Sequence, residues 1–124
     1  MPPVKLIDPT SSAMISTMLH DLGLPVHRCG YDHLILAISR HAEGDMQSLS
    51  KELYPYVSER FGYADWHAVE HTIRSVISDT WETRDPEIWE QYFPRFHKAP
   101  SNKRFIATLA ELLQQNTPPE NGRG

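Results

Sequence analysis

The chain has a single cysteine, Cys29, in 124 residues. It can therefore close no internal disulfide and build no cysteine-based zinc cluster. A reducing, cytoplasmic setting is the expected one. No apolar run approaches the roughly 18–20 residues of a membrane-spanning helix, so no membrane partner is expected. The opening residues, MPPVKLIDPTSSAM, have neither the basic start nor the apolar stretch of a secretory signal. Glycine-rich phosphate loops and cofactor fingerprints are missing too. Neither a cofactor nor a small-molecule substrate is expected. A surplus of positive charge is also lacking. The formal net charge is −4, whereas affinity for nucleic acid comes largely from cations set against phosphates.

What is present is an ordinary single-domain composition, 40% hydrophobic and 23% charged, long enough to bury a core. The charge is unevenly spread. Residues 94–104 hold Arg95, His97, Lys98, Lys103 and Arg104 with no acid among them, after an acidic stretch over 82–90. This is either a solvated surface or a phosphate-facing patch.

Hydrophobic spacing predicts helices throughout and no strand, an all-α compact domain of six or seven helices. Asp8-Pro9-Thr10 reads as a helix start, with Met14, Ile15, Met18, Leu19 and Leu22 as its apolar stripe and Gly23 as its stop. A connection over 24–30 follows. Tyr31, Leu34, Ile35, Ile38 and Ala42 then mark a second helix, closed by Gly44. Asp45 reads as the cap of a third, which Pro55 interrupts or restarts before Gly62. Asp65 reads as the N-cap of a helix over 66–80, whose core face is Val69, Ile73, Val76, Ile77 and Thr80. Its opposite face carries His67, Glu70, His71, Arg74, Ser75 and Ser78. Asp85-Pro86 starts a short helix, and Ser101-Asn102 caps the last, striped by Phe105, Ile106, Leu109, Leu112 and Leu113. The organisation read from this is an N-terminal extension over 1–9, a folded domain over 10–116, and a Pro/Gly-rich disordered tail over 117–124.

Within 49–81, the pentad His67-Ala68-Val69-Glu70-His71 admits two readings. As H-x-x-E-H it matches the zinc-ligand signature of one metalloprotease class, with His67 and His71 on one helix face. As the exposed face of the second helix of a helix-turn-helix, it would enter a DNA major groove. The zinc reading needs a third ligand, and Glu43, Asp79 and Glu82 follow no recognisable spacing. It also needs a substrate cleft that a small helical domain rarely provides. The remaining histidines, His20, His27, His33, His41 and His97, show no ligand spacing and read as surface or hydrogen-bonded side chains. Trp66 reads as a plug for the turn before the helix.

Taken in order, a further set of residues forms a pattern. It runs Leu22-Gly23-Leu24-Pro25-Val26, Gly30-Tyr31, Ala37-Ile38-Ser39, Leu53-Tyr54-Pro55, Arg60-Phe61, Val69-Glu70, Ile73-Arg74, Trp81, Pro100-Ser101-Asn102 and Phe105-Ile106-Ala107. No one of these is specific; their order and spacing are. Over residues 15–115 the chain resembles the C-terminal DNA-binding domain of the response regulator that initiates sporulation in endospore-forming bacteria. The resemblance implies a six-helix fold with an embedded helix-turn-helix that binds short boxes of double-stranded DNA, often in tandem, with a homodimer on tandem sites as a further expectation.

By that resemblance the supporting helix ends over 55–61 and the recognition helix lies over 66–80. His67, Ala68, Glu70, His71 and Arg74 are then the expected base-facing residues. Lys51, Ser75, Lys98, Lys103 and Arg104 are the expected phosphate contacts. Family members usually carry several arginines along this helix; the counterparts here are Ala68 and His71, so the recognised sequence does not transfer. The family regulator also joins this domain to a phosphorylated receiver domain, and no such domain fits before the first helix. For a full-length chain, control without phosphorylation is the expectation. Beside the DNA-binding regulator stand two other readings, an interaction module that keeps the fold without reading DNA, and a small zinc hydrolase using His67 and His71.

Overall fold

The computed structural model describes residues 9–44 and 48–116. The expected helix start at Asp8, the cap at Asp45 and the tail over 117–124 lie outside the described residues. Six helices and no strand are present among those described: α1 (Pro9–Leu22), α2 (Cys29–Ala42), α3 (Tyr54–Phe61), α4 (His67–Glu82), α5 (Pro86–Tyr92) and α6 (Asn102–Asn116). The all-α expectation holds.

α2 is the central strut. It packs against α1, α3, α4 and α6, and Tyr31, Leu34, Leu36, Ala37 and Ile38 on it are all buried. An amphipathic helix exposes one face; this one is apolar or small on most sides because it has neighbours on most sides. Gly30 explains how close one of them comes. A β-carbon there would lie 2.6 Å from Val76 Cγ1 and 3.1 Å from the Thr72 carbonyl oxygen of α4. Gly30 therefore belongs to the first turn of α2 rather than to the connection before it. Spacing alone gives no sign of this close helix–helix approach.

Helix ends follow from local chemistry. Gly23 adopts φ +92°, and the Leu24 N–H reaches the Leu19 carbonyl at 3.0 Å, a left-handed stop that glycine permits without a Cβ clash. Gly62 closes α3 the same way, with φ +75° and a 3.0 Å bond from the Tyr63 N–H to the Ser58 carbonyl. Asp85 caps α5 by accepting from the Glu87 N–H at 3.0 Å.

Of the two readings at Pro55, interruption or restart, the structure has the restart, with Pro55 in the first turn of α3. Leu49–Leu53 forms one wide turn, with the Leu53 N–H bonded to the Ser48 carbonyl five residues back, and it runs directly into α3. Proline has no N–H to give, and the wider turn lets the chain pass Pro55 without ending the helix. Ser48 caps this turn, accepting from the Lys51 N–H at 3.3 Å, while Glu52 accepts from the Ser48 N–H at 3.0 Å. This is a capping box stretched by one residue.

An aromatic cluster fills the end of the core beneath α4. Trp81 meets Trp89 edge-on at 5.4 Å, and Phe93 stacks on Phe105 at 5.4 Å. The Trp89 indole N–H donates to the Leu22 carbonyl at 2.9 Å, satisfying one of the acceptors that α1 leaves open at its end. Among the described residues no helix is long and apolar enough to cross a membrane.

Candidate nucleic-acid interface

α4 is anchored by the stripe its sequence predicts. Val69, Ile73, Val76, Ile77 and Thr80 are buried, with Trp81 added to them. The helix spans 67–82 rather than 66–80. At its end the Arg84 guanidinium donates to the Trp81 carbonyl at 2.7 Å and lies 3.7 Å over the Trp81 ring. A cation at a helix C-terminus is favourably placed. At its start Asp65 sits outside the helix, yet its carboxylate accepts from the His67 backbone N–H at 2.9 Å. The capping chemistry expected of Asp65 is thus present one position further out.

α3 and the turn set the pose of this helix. His33 of α2 is fully buried, the hydrogen-bonded rather than the surface case of the two expected. Its Nε2 is 2.9 Å from the Tyr63 hydroxyl, and its ring meets Phe61 and Tyr63 edge-on at 4.6 and 5.4 Å. Burial pushes the His33 pKa below its ordinary value. Its Nδ1 has no hydrogen-bond partner. His33 therefore pins the turn between α3 and α4 to the core as a neutral ring.

The other clamp is Asn102. Ser101 alone caps α6, accepting from the Arg104 N–H at 3.1 Å. Asn102 turns inward instead. Its amide donates to the Tyr54 hydroxyl at 3.0 Å and to the Glu70 carbonyl at 3.1 Å, so one buried side chain joins α6, α3 and α4. A helix-starting Ser-Asn pair looks like a double cap in sequence, which hides this role.

Between these parts lies an open groove of about 780 Å³, lined by Ser48, Ser50, Tyr54, Trp66, Glu70, Arg74, Ser78, Ser101 and Lys103 among others. The starts of the wide turn and of α6 both face it. The start of α6 carries partial positive charge, which suits an anion, while the Ser48, Lys51 and Arg104 N–H groups already have side-chain acceptors. Of the expected base-facing residues, His67, Ala68, His71 and Arg74 are exposed on one side of α4. Glu70 is half-buried at the groove edge, its carboxylate taken by the Arg74 guanidinium one turn on. Of the expected phosphate contacts, Lys103 lines the groove. Lys51, Lys98 and Arg104 are exposed on the segments that frame it. Ser75 is half-buried, about 100° round the helix axis from Arg74. Ser48, Ser50, Tyr54 and Asn102 are groove residues that spacing did not single out.

Trp66 fills the turn. It stacks on Tyr54 at 5.6 Å on one side and on the His67 ring at 3.9 Å on the other. As for the zinc reading, among the described residues no three His, Cys, Asp or Glu side chains are grouped so as to hold a metal ion.

A supporting helix, a glycine-stopped turn and a second helix presenting a polar face follow the order of a helix-turn-helix. Residues 15–113 match the family model described as Sporulation initiation factor Spo0A C terminal. The chain belongs to that family of DNA-binding effector domains of sporulation transcription regulators.

Proposed function

We propose that this chain is a sequence-specific, cytoplasmic transcription regulator that docks α4 in the major groove of double-stranded DNA. The observation that carries the reading is the polar face of α4 lying beside the groove that Arg74 and Lys103 line. In a helix-turn-helix the first residues of the recognition helix reach base edges while flanking segments hold phosphates. On that plan His67, Ala68, His71 and Arg74 face the bases, and Glu70 orients Arg74 through their ion pair. Lys103, with Lys51, Lys98, Arg104 and Ser75, meets the sugar–phosphate backbone. Binding as a homodimer on tandem sites belongs to the same proposal.

The acidic net charge does not oppose this. Field at the contact surface, not the sum over the molecule, steers DNA. Enrichment from a pool of randomised duplexes tests the proposal. One motif should emerge, and Arg74→Ala should bind it roughly five- to 150-fold more weakly, the range for loss of a bidentate base contact. Recovery of no motif at low ionic strength would contradict it.

A further inference from the structure

The first residue of α4 is held differently from a free histidine. The Asp65 oxygen that accepts the His67 backbone N–H also lies 2.6 Å from His67 Nδ1. The Trp66 indole stacks on the imidazole with planes 18° apart. Trp66 is backed by Tyr54, and Tyr54 is tied to the buried Asn102. The ring is thus fixed in plane and in rotation, although 65% of the side chain is exposed.

A carboxylate only accepts hydrogen bonds, so the proton between these groups sits on Nδ1. The His67 backbone N–H, followed by the ring contact, holds the Asp65 carboxyl below its ordinary range, which keeps it ionised. With Nδ1 protonated, a neutral imidazole presents Nε2 as a bare lone pair. Arginine does the opposite, since it can only donate. In the major groove a lone pair complements the exocyclic amines of adenine N6 and cytosine N4. A donor complements guanine O6 and N7. Phosphate oxygens are acceptors as well, so a neutral, Nδ1-protonated ring matches a base amine and not the backbone.

We propose that Asp65 and Trp66 lock His67 as an outward-facing hydrogen-bond acceptor that selects an amino-bearing base, adenine or cytosine, where it meets the DNA. Asp65 and Trp66 are positioning residues; His67 does the reading. The inference rests on the DNA-binding function proposed above and names the chemistry of one of its base contacts.

Two measurements test it. Nitrogen-15 NMR of the whole chain without DNA, at pH 8, reports which ring nitrogen of His67 carries the proton. Nδ1 is expected. Asp65→Asn keeps an oxygen for the His67 backbone N–H, and it should shift the population towards Nε2 protonation. Predominant Nε2 protonation in the unaltered chain overturns the proposal.

The second measurement compares motifs enriched from randomised duplexes at pH 8 by the unaltered chain and by His67→Arg. One base pair of the motif should change, and replacing its adenine or cytosine by an analogue without the exocyclic amine should weaken binding of the unaltered chain roughly fivefold, the low end for a base contact. Unchanged affinity of the unaltered chain for the amine-free duplex, or no changed base pair, overturns it. Enrichment of no duplex overturns it through the function it rests on, and the tautomer then separates the two failures.

Discussion

Replacing Gly30 by alanine tests how tightly α4 is fitted to the core. The added methyl would lie 2.6 Å from Val76 Cγ1, 3.0 Å from Val76 Cβ and 3.1 Å from the Thr72 carbonyl oxygen. Val76 is β-branched and fully buried, so it has little rotamer freedom to move aside. The Thr72 oxygen is backbone and moves only with the helix. Overpacking of this kind costs about 1–3 kcal/mol, and backbone contacts place it at the upper end. Alanine returns up to about 1 kcal/mol in helix propensity. The net expectation is destabilisation by about 2 kcal/mol, a fall in Tm of roughly 5–10 °C for a domain of this size.

Thermal and denaturant unfolding of Gly30→Ala, Val76→Ala and the double variant would measure this. The double variant should be more stable than the sum of the single changes implies, by about 1–2 kcal/mol, because the smaller residue 76 makes room for the methyl. A Gly30→Ala protein as stable as the unaltered chain would refute the claim that α2 and α4 are in backbone contact there.

Asn102→Ala should cost about 1–3 kcal/mol, because it removes the buried amide that ties the Tyr54 hydroxyl of α3 and the Glu70 carbonyl of α4 to α6. The denaturant midpoint should fall with the slope unchanged, and an unchanged midpoint would remove Asn102 from the clamp. His33 gives a pH signature. Its pKa is lower in the folded chain than in the unfolded one, so its contribution is complete above the ordinary value of about 6.5. That contribution is lost as pH falls towards the folded value. In that window stability should fall by up to about 1.4 kcal/mol per pH unit. Tm profiles from pH 7.5 to 5 should be steeper for the unaltered chain than for His33→Phe, and parallel profiles would show that His33 is not buried neutral.

Much of this architecture is legible in sequence because it depends on local rules. The core stripe of α4 repeats every 3.6 residues from Val69 to Thr80, and the glycine stops at Gly23 and Gly62 need only a left-handed backbone. Asp85 and Ser101 cap as their side chains allow. What is illegible depends on partners distant in the chain. Gly30 looks like a linker residue until α4 lies against it. His33 looks like a surface histidine until Phe61 and Tyr63 close over it. Asn102 looks like a cap until Tyr54 and Glu70 draw it inward. Pro55 announces the restart at α3, but the wide turn before it rests on backbone bonds that no residue spacing reveals.

The candidate site divides the same way. Hydrophobic phase alone places His67, His71 and Arg74 on the exposed side of α4, whereas the Glu70–Arg74 pair and the Asp65–His67–Trp66 arrangement are three-dimensional refinements of it. The pentad that resembles a zinc motif forms the first exposed turn of α4, with its leading histidine held by an aspartate.

The central claim is that the Arg74–Lys103 groove and the face of α4 beside it engage DNA. Its most direct test is the affinity for an enriched duplex measured across a series of salt concentrations, for the unaltered chain and for Lys103→Ala. Affinity should fall linearly on a double-logarithmic plot, and the variant's slope should be shallower by about 0.9, the loss of one phosphate contact. Binding that does not respond to salt, or a slope unaffected by Lys103→Ala, would contradict the account.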